Sequence, residues 1–465
     1  MQKPDDLHRR IFYELTKVPR PSGHLAYIQE YLISFAKAHN LAAEKDDAGN
    51  IRILHPGKTE KSLILQAHMD MVAQVEEGFS FDFTADAVQT EIKDGWLCAK
   101  RTTLGADDGS GIAIALSLLT DESLADCSMT GIFTADEEST MSGAASINPM
   151  WVHETALLNI DHEVLGEAVL SSAGGALVTA RFSPDTKAVP ANAEWYRLEI
   201  SGLLSGHSGV DIDKGRLNAI RLAADFLSGL KDVRIAAFNG GTVDNAIPGK
   251  AEALFSTAAD AEKYAQSWLD AHRTKTEPGL AVTIRRTAPH EKAYSAMHTK
   301  TLLSAILAVP DGLMEIDGRG PVLSSNLGIL RADTENTSML MFIRSSSDAK
   351  RDALADKAME ICSDTGAEVK YLGKCPGWRT EGRNELMQIA DEEYQKVTGR
   401  RITFSATHGG LECGYFAEKN PDLMILSLGP TIENPHTIHE RMHLGSFDEA
   451  KDLVYRIAAR FCRGK

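Results

Sequence analysis

The chain has 465 residues, more than one ordinary hydrophobic core accommodates, so two domains are expected. Hydrophobic content of 43% with 25% charged residues fits a globular chain, and a formal charge of -16 excludes broad nucleic-acid binding and attraction to anionic membrane surfaces. No apolar stretch approaches the roughly 20 residues of a membrane span, and the N-terminus opens no signal-peptide core. The six cysteines, none in a C-x-x-C pair, read as reduced thiols of a cytoplasmic protein.

Residues 7–38 carry apolar side chains at helical spacing, interrupted at Pro19 and Pro21. Residues 51–54 and 62–66 read as strands, and 112–119 as a helix with Ile112, Leu116 and Leu119 on one face. Short apolar strands follow at 129–133 and 156–160. Strands alternating with helices predict an α/β domain on a mostly parallel sheet. The apolar rhythm stops between Ser183 and Pro190, which sets a first boundary at 185. Next come a strand at 196–201, a helix at 214–230, strands at 233–238 and 251–256, a helix at 261–272 and a strand at 280–285. That β-α-β-β-α-β order predicts a ferredoxin-like unit. Residues 299–371 repeat part of it: helix, two strands, helix, strand. The pattern shifts again around Lys374 to Gly377, and a helix at 384–397, a strand at 423–428 and a helix at 447–461 close the chain. The predicted organisation is a catalytic domain from residues 1–185 and 377–465, with an inserted α+β lid domain over 186–376.

The predicted strands end in ionisable side chains. Leu63-Ile64-Leu65 leads to His68 and Asp70, and later apolar runs lead to Asp136-Glu137-Glu138, to Asp161 and to the loop holding His436. Gly105-Ala106-Asp107-Asp108-Gly109 adds a carboxylate pair where a helix-like stretch begins. In open α/β sheets ligands collect beyond the carboxyl ends of strands. A lone histidine is more often surface or core than ligand, and a lone Glu-Glu pair is usually a solvated face. Their joint placement changes that, because several acids buried together without a cation are very costly. Imidazole and carboxylate without thiolate suit zinc, manganese or cobalt; Cys413 has no partner cysteine nearby and reads as core.

Gln66-Ala67-His68-Met69-Asp70, Gly105-Ala106-Asp107-Asp108-Gly109, Asp136-Glu137-Glu138 and Asn159-Ile160-Asp161 occur in the order and form of the M20 metallopeptidases. Gly206-His207-Ser208-Gly209, Asn245-Ala246-Ile247-Pro248 and Gly429-Pro430 with Pro435-His436 continue the match, so the chain resembles that family over nearly its whole length. The branch it resembles is that of the aminoacyl-histidine dipeptidases, which act on Xaa-His dipeptides including beta-alanyl-histidine.

The resemblance implies two divalent metal ions, zinc foremost, with manganese or cobalt as substitutes. Asp107 would bridge them, His68 and Asp161 would complete one site, and Glu138 and His436 the other, with His439 as the runner-up for the last ligand. Glu137 would be the general base and Asp70 the acceptor that orients His68. His207 would stabilise the oxyanion, reaching in from a partner subunit in many dimeric members. Arg344 would hold the substrate carboxylate, and Asn245, Gly409 and Gly410 would make further substrate contacts. Asp108 and Asp136 read as supporting acids. Many members carry a basic residue two places after the bridging aspartate, where this chain has Gly109. The expected protein is a cytoplasmic homodimer that cleaves unblocked dipeptides; the alternative is another M20 activity, as a tripeptidase, carboxypeptidase or N-acyl-amino-acid deacylase.

Overall fold

The computed structural model describes residues 6–190 and 193–464. They form two compact units. The first takes the chain through Ser171, then Trp378–Ala406, then from Leu411 onward; the second takes Ser172–Gly377 and Thr407–Gly410.

The first unit is built on a mixed nine-stranded sheet. At its centre lie Ser128–Thr134, Ser62–His68, Ala156–Asn159 and Met424–Ser427, adjacent in that order and mutually parallel. These strands are almost wholly buried, which explains their continuous apolar runs: a parallel strand covered on both faces has no polar side to alternate. Antiparallel strands extend the sheet on either side, Ile51–His55 beyond Ser128–Thr134 and Glu167–Ser172 beyond Met424–Ser427. The helix Ala106–Leu119 packs on the central strands and is buried along its whole length. Its sequence, small and apolar all round, is that of a helix with no solvent face. It starts six residues before the predicted 112–119 helix, although Asp107 and Asp108 in its first turn keep non-helical dihedrals. Leu7–Leu15 packs against it, and Leu444–Arg463 packs on Glu385–Thr398.

A small sheet also positions the site. Thr90–Lys93 and Trp96–Ala99 form a hairpin through Asp94 and Gly95, both at positive φ, as a tight two-residue turn requires. Arg441–His443 pairs with Trp96–Ala99, which fixes the segment that follows His436.

The second unit carries an antiparallel nine-stranded sheet. Its first half is the predicted ferredoxin-like order, with strands Ala281–Thr287, Glu194–Ser201, Ala251–Thr257 and Arg234–Gly240 side by side. Its second half has the same arrangement: Glu368–Cys375, Gly174–Phe182, Thr337–Ser345 and Gly320–Asp333. The two halves join through Arg234–Gly240 and Gly320–Asp333.

This arrangement corrects the boundary at 185. Gly174–Phe182 pairs with Thr337–Ser345 and Glu368–Cys375, so it is the first strand of the second repeat, and the chain enters the second unit after Ser171. The block 377–465 also gives up Gly377 and four residues further on. Thr407–Gly410 belongs to the second unit, where Gly409 O accepts from Ala173 N at 3.0 Å and His408 Nε2 lies 2.8 Å from Ser324 Oγ.

Candidate metal centre and active site

His68 is the last residue of its strand and is 1% exposed. Its Nε2 lies 2.9 Å from Asp107 Oδ1 and 3.4 Å from Asp161 Oδ1. The other oxygen of Asp107 faces a different imidazole: Oδ2 is 3.0 Å from His436 Nε2, which lies 2.9 Å from Glu138 Oε2. Asp107 therefore stands between two donor sets, His68 with Asp161 and His436 with Glu138. His68, Asp107 and Glu138 each offer a ligand atom within 4.8 Å of the others. His436 is held at φ 60, in the left-handed region, on the loop that joins Ile432–Glu433 to Arg441–His443 within the small sheet. His439 is exposed and its backbone N–H donates to Thr437 Oγ1; it does not join this group.

Asp70, two residues beyond His68, is fully buried. Its Oδ1 accepts from Glu137 N at 2.9 Å, and its Oδ2 from Glu138 N at 3.2 Å and Ser22 Oγ at 2.7 Å. The same Oδ1 is 3.5 Å from His68 Nδ1. One carboxylate thus holds the short Glu137–Thr140 helix by its first amides and faces the far side of the His68 ring. Asp108 and Asp136 face backbone. Asp108 accepts from His68 N and Gly111 N, and Asp136 from Gly23 N.

The electrostatics of the cluster are those of acids awaiting a cation. Burial, reinforced by neighbouring carboxylates, pushes Asp161 up to about 7 and Glu163 up to about 8. Burial also drives Glu137 well above the ordinary carboxylate range, with Asp161, Glu412 and Glu138 adding to it. Burial opposes charge on His68, yet Asp161, Asp107 and Asp70 outweigh it and raise the imidazole well above its usual value. Glu138 Oε1 is buried with no hydrogen-bond partner among the described residues. An unpartnered carboxylate oxygen beside crowded acids and imidazoles is the donor set that a divalent cation satisfies.

In the second unit, Arg344 lies within the Thr337–Ser345 strand and is 5% exposed, so it is not a surface arginine. Its guanidinium carbon sits 4.1 Å from the Phe342 ring centroid, and its Nε has no partner. Among the described residues no carboxylate pairs with it, and burial lowers it to about 10. His207 pairs through Gly206–His207 with Ala246–Ile247. Its Nδ1 accepts from Gly209 N at 3.1 Å and Val210 N at 3.3 Å. Two donors at Nδ1 put the ring proton on Nε2, leaving an outward N–H. Asn245 is exposed on a loop that Asn326 clamps by donating to Asp244 O and Ala246 O, at 3.0 and 2.9 Å. Gly409 N donates to Thr407 Oγ1 at 3.1 Å, and Gly410 follows it in the same four-residue segment.

Residues 64–460 match the model of peptidase family M20/M25/M40. The chain belongs to this peptidase family. It is 34% identical to the cytosol non-specific dipeptidase of Escherichia coli (strain K12) over 453 residues, 94% of this chain and 93% of that protein. The structure of aminoacylhistidine dipeptidase from Vibrio alginolyticus is similar at a TM-score of 0.90 and 29% identity, covering 98% of this chain and 97% of that one. Aminopeptidase PepT from Bacillus cereus shares the fold, with a TM-score of 0.58 at 16% identity over 98% of each chain.

Several residues of this M20-family site escaped the sequence reading. Glu440 is 3% exposed and accepts from four successive amides, Leu104, Gly105, Ala106 and Asp107, at 2.7, 3.0, 2.6 and 3.3 Å. Arg20, 3% exposed, donates to Met69 O at 3.0 Å, to Asp70 O at 2.7 Å and to Gly105 O. Together they fasten the segment leading into Asp107 to the segment following His68. Arg20 also accounts for Gly109: a Cβ there would meet its Nη2 at 2.6 Å. The position that is basic in many members is thus filled by a guanidinium from another part of the chain. An arginine between two prolines carries no sequence signal of that role.

Proposed function

We propose that this chain is a metal-dependent dipeptidase that hydrolyses unblocked dipeptides, Xaa-His dipeptides such as beta-alanyl-histidine foremost. One observation carries the reading: the two oxygens of Asp107 face two different His-carboxylate pairs. His68, Asp161 and Asp107 would hold one divalent ion, and Glu138, His436 and Asp107 the other. Imidazole and carboxylate donors suit zinc, with manganese or cobalt as substitutes. A bound pair of such ions polarises the peptide carbonyl and makes water acidic enough to attack near neutral pH.

The chain's own groups do the rest. Glu137 takes the proton of the attacking water and delivers it to the leaving amine; an acid whose pKa is raised by burial suits both transfers. Asp70 keeps Glu137 and Glu138 at their places through their amides. Arg344 binds the substrate's free carboxylate with its planar fork, which supplies the anion that the buried guanidinium lacks. His207 donates from Nε2 to the developing oxyanion, and Asn245, Gly409 and Gly410 contact the substrate backbone. The E. coli and V. alginolyticus relatives are both named dipeptidases, which supports the dipeptide class. The E. coli name also supports the cytoplasm as location; the homodimer rests on the family resemblance.

The test is a substrate panel on the zinc-reconstituted protein, with and without chelator: beta-Ala-His, Gly-His, Ala-Ala, a tripeptide and an N-acetyl amino acid. Chelator-sensitive cleavage led by the histidine dipeptides is the expected result. Cleavage led by the tripeptide or the acylated substrate would move the protein to another M20 activity.

A further inference from the structure

A line of buried polar side chains crosses the parallel centre of the first unit. Ser427 Oγ donates to Asn159 Oδ1 at 2.5 Å, Asn159 Nδ2 to Gln66 Oε1 at 2.6 Å, and Gln66 Nε2 to Glu412 Oε2 at 2.7 Å. Thr134 Oγ1 donates to the same Glu412 oxygen at 2.6 Å and lies 3.2 Å from Gln66 Nε2. Glu412 is 1% exposed and the other four are fully buried. Thr134, Gln66, Asn159 and Ser427 come from four neighbouring strands in that order. Gln66 pairs in register with Asn159, and Asn159 with Ser427.

The line lies one layer beneath the donor cluster. Side chains two apart in a strand share a face. Gln66 precedes His68 by two residues and Asn159 precedes Asp161 by two. Thr134 pairs in register with His68 and opens the segment that leads to Glu137 and Glu138. A one-residue slip of a strand would turn its site residue to the opposite face. The apolar residues cannot prevent such a slip, because these strands are buried on both faces; the polar line distinguishes the registers.

The line also has a direction. Glu412 Oε2 accepts from both Gln66 Nε2 and Thr134 Oγ1, so Gln66 presents its NH2 to Glu412 and its oxygen to Asn159. The Gln66 oxygen then takes the Asn159 NH2, and the Asn159 oxygen takes the Ser427 hydroxyl. Reversing either amide alone would set oxygen against oxygen or NH2 against NH2. Glu412 is the one member that comes from outside the sheet, immediately before the Cys413–Lys419 helix. Every link of the line runs from a donor to an acceptor, and a buried network of that kind favours one arrangement of the core.

We propose that Glu412 is a positioning residue: it terminates and orients this line, and through Gln66 and Thr134 holds the strand ends carrying His68, Glu138 and Asp161 at the spacing that metal binding needs. The proposal rests on the reading of those three residues as ligands.

The experiment titrates metal-free, full-length wild type, Glu412→Ala and Glu412→Gln with Zn2+ against a chromogenic chelator. Steady-state kinetics of the reconstituted forms and melting curves accompany it. Supporting groups around metal ligands typically set about 10–100-fold in affinity. Glu412→Ala should lose Zn2+ affinity in that range, with a fall in kcat larger than any change in KM. Glu412→Gln keeps an acceptor for Gln66 and should recover most of both. A folded Glu412→Ala that melts earlier but binds Zn2+ as wild type does overturns the proposal, since a purely structural role would give that result. If Glu412→Ala does not fold, Thr134→Val, which removes the second donor to Glu412, decides: weakened Zn2+ binding sustains the proposal and wild-type affinity overturns it. The titration uses no substrate, so loss of affinity in the variants alongside a wild type inactive on dipeptides would overturn the dipeptidase reading alone. A wild type that binds no Zn2+ would overturn the ligand reading and this proposal with it.

Discussion

The first unit crowds carboxylates around two imidazoles, whereas the second buries a guanidinium near two imidazoles and, among the described residues, pairs it with no carboxylate. In the first, burial raises Asp161, Glu163 and Glu137, so the acids stay charged together only at a cost that a cation removes. In the second, burial lowers Arg344, and the guanidinium in turn helps to hold His207 and His408 down. The deficits are of opposite sign: one unit lacks cations, the other an anion. A dipeptide presents a carbonyl to cations and a carboxylate to a guanidinium. On the function proposed above, the charge that costs each unit stability is the charge that would recognise the ligand.

The largest effect should come from removing the shared acid. Asp107→Ala takes one ligand from both donor sets. Turnover should fall to the level of the chelated wild type and bound Zn2+ should fall with it, measured by metal analysis after gel filtration. Retention of two ions per chain would break the bridging assignment. Glu137→Gln comes next and separates binding from chemistry. It should keep the metal content and lose about 100- to 10,000-fold in kcat, the usual contribution of a positioned general base. Full activity in that variant would remove Glu137 from the mechanism.

Arg344→Met tests the anion deficit on the other side. Losing a buried charge that pairs with a substrate anion costs several kcal/mol, so kcat/KM should fall by about 1,000-fold. Stability should move the other way, because the apo protein no longer buries an unpaired cation. A raised melting temperature beside the lost kcat/KM is the expected signature. Arg344→Lys should recover little, since a point charge does not replace the planar fork. A lowered melting temperature with an unchanged KM would make Arg344 a structural residue.

How far the sequence reveals each region follows from how local its determinants are. The clustered imidazole and carboxylates follow apolar runs within a few positions, so His68, Glu137, Glu138 and Asp161 are visible in the chain as strand-end chemistry. The second ferredoxin-like repeat was seen without its first strand. Gly174–Phe182 is separated from its partners Thr337–Ser345 and Glu368–Cys375 by the whole first repeat, and nothing in its own residues announces that pairing. Arg20, Glu440 and Glu412 were invisible for the same reason. Each works on groups far away in the chain, Glu440 on the amides of 104–107 and Glu412 on Gln66 and Thr134. A charged residue looks like surface until its distant partners are known.

The smallest effect expected is a pH dependence confined to the second unit. His408 is 4% exposed, and burial, with Arg344 and His207 adding to it, lowers its pKa from 6.5 to about 4. The folded chain therefore keeps His408 neutral over a range in which the unfolded chain takes up a proton. Stability linked to this group is fully present above pH 6.5 and is lost as pH falls toward 4. The loss amounts to about 3 kcal/mol by the usual conversion of a pKa difference. The raised acids Asp161 and Glu163 also change stability between pH 7 and pH 4, so wild type alone cannot isolate it. His408→Asn can: asparagine can still bond to Ser324 Oγ and carries no titrating group. The stability advantage of wild type over His408→Asn should shrink by that amount between pH 7 and pH 4, followed by urea unfolding of the metal-free proteins. A constant difference across that interval would mean that His408 takes up its proton as readily in the folded chain as in the unfolded one.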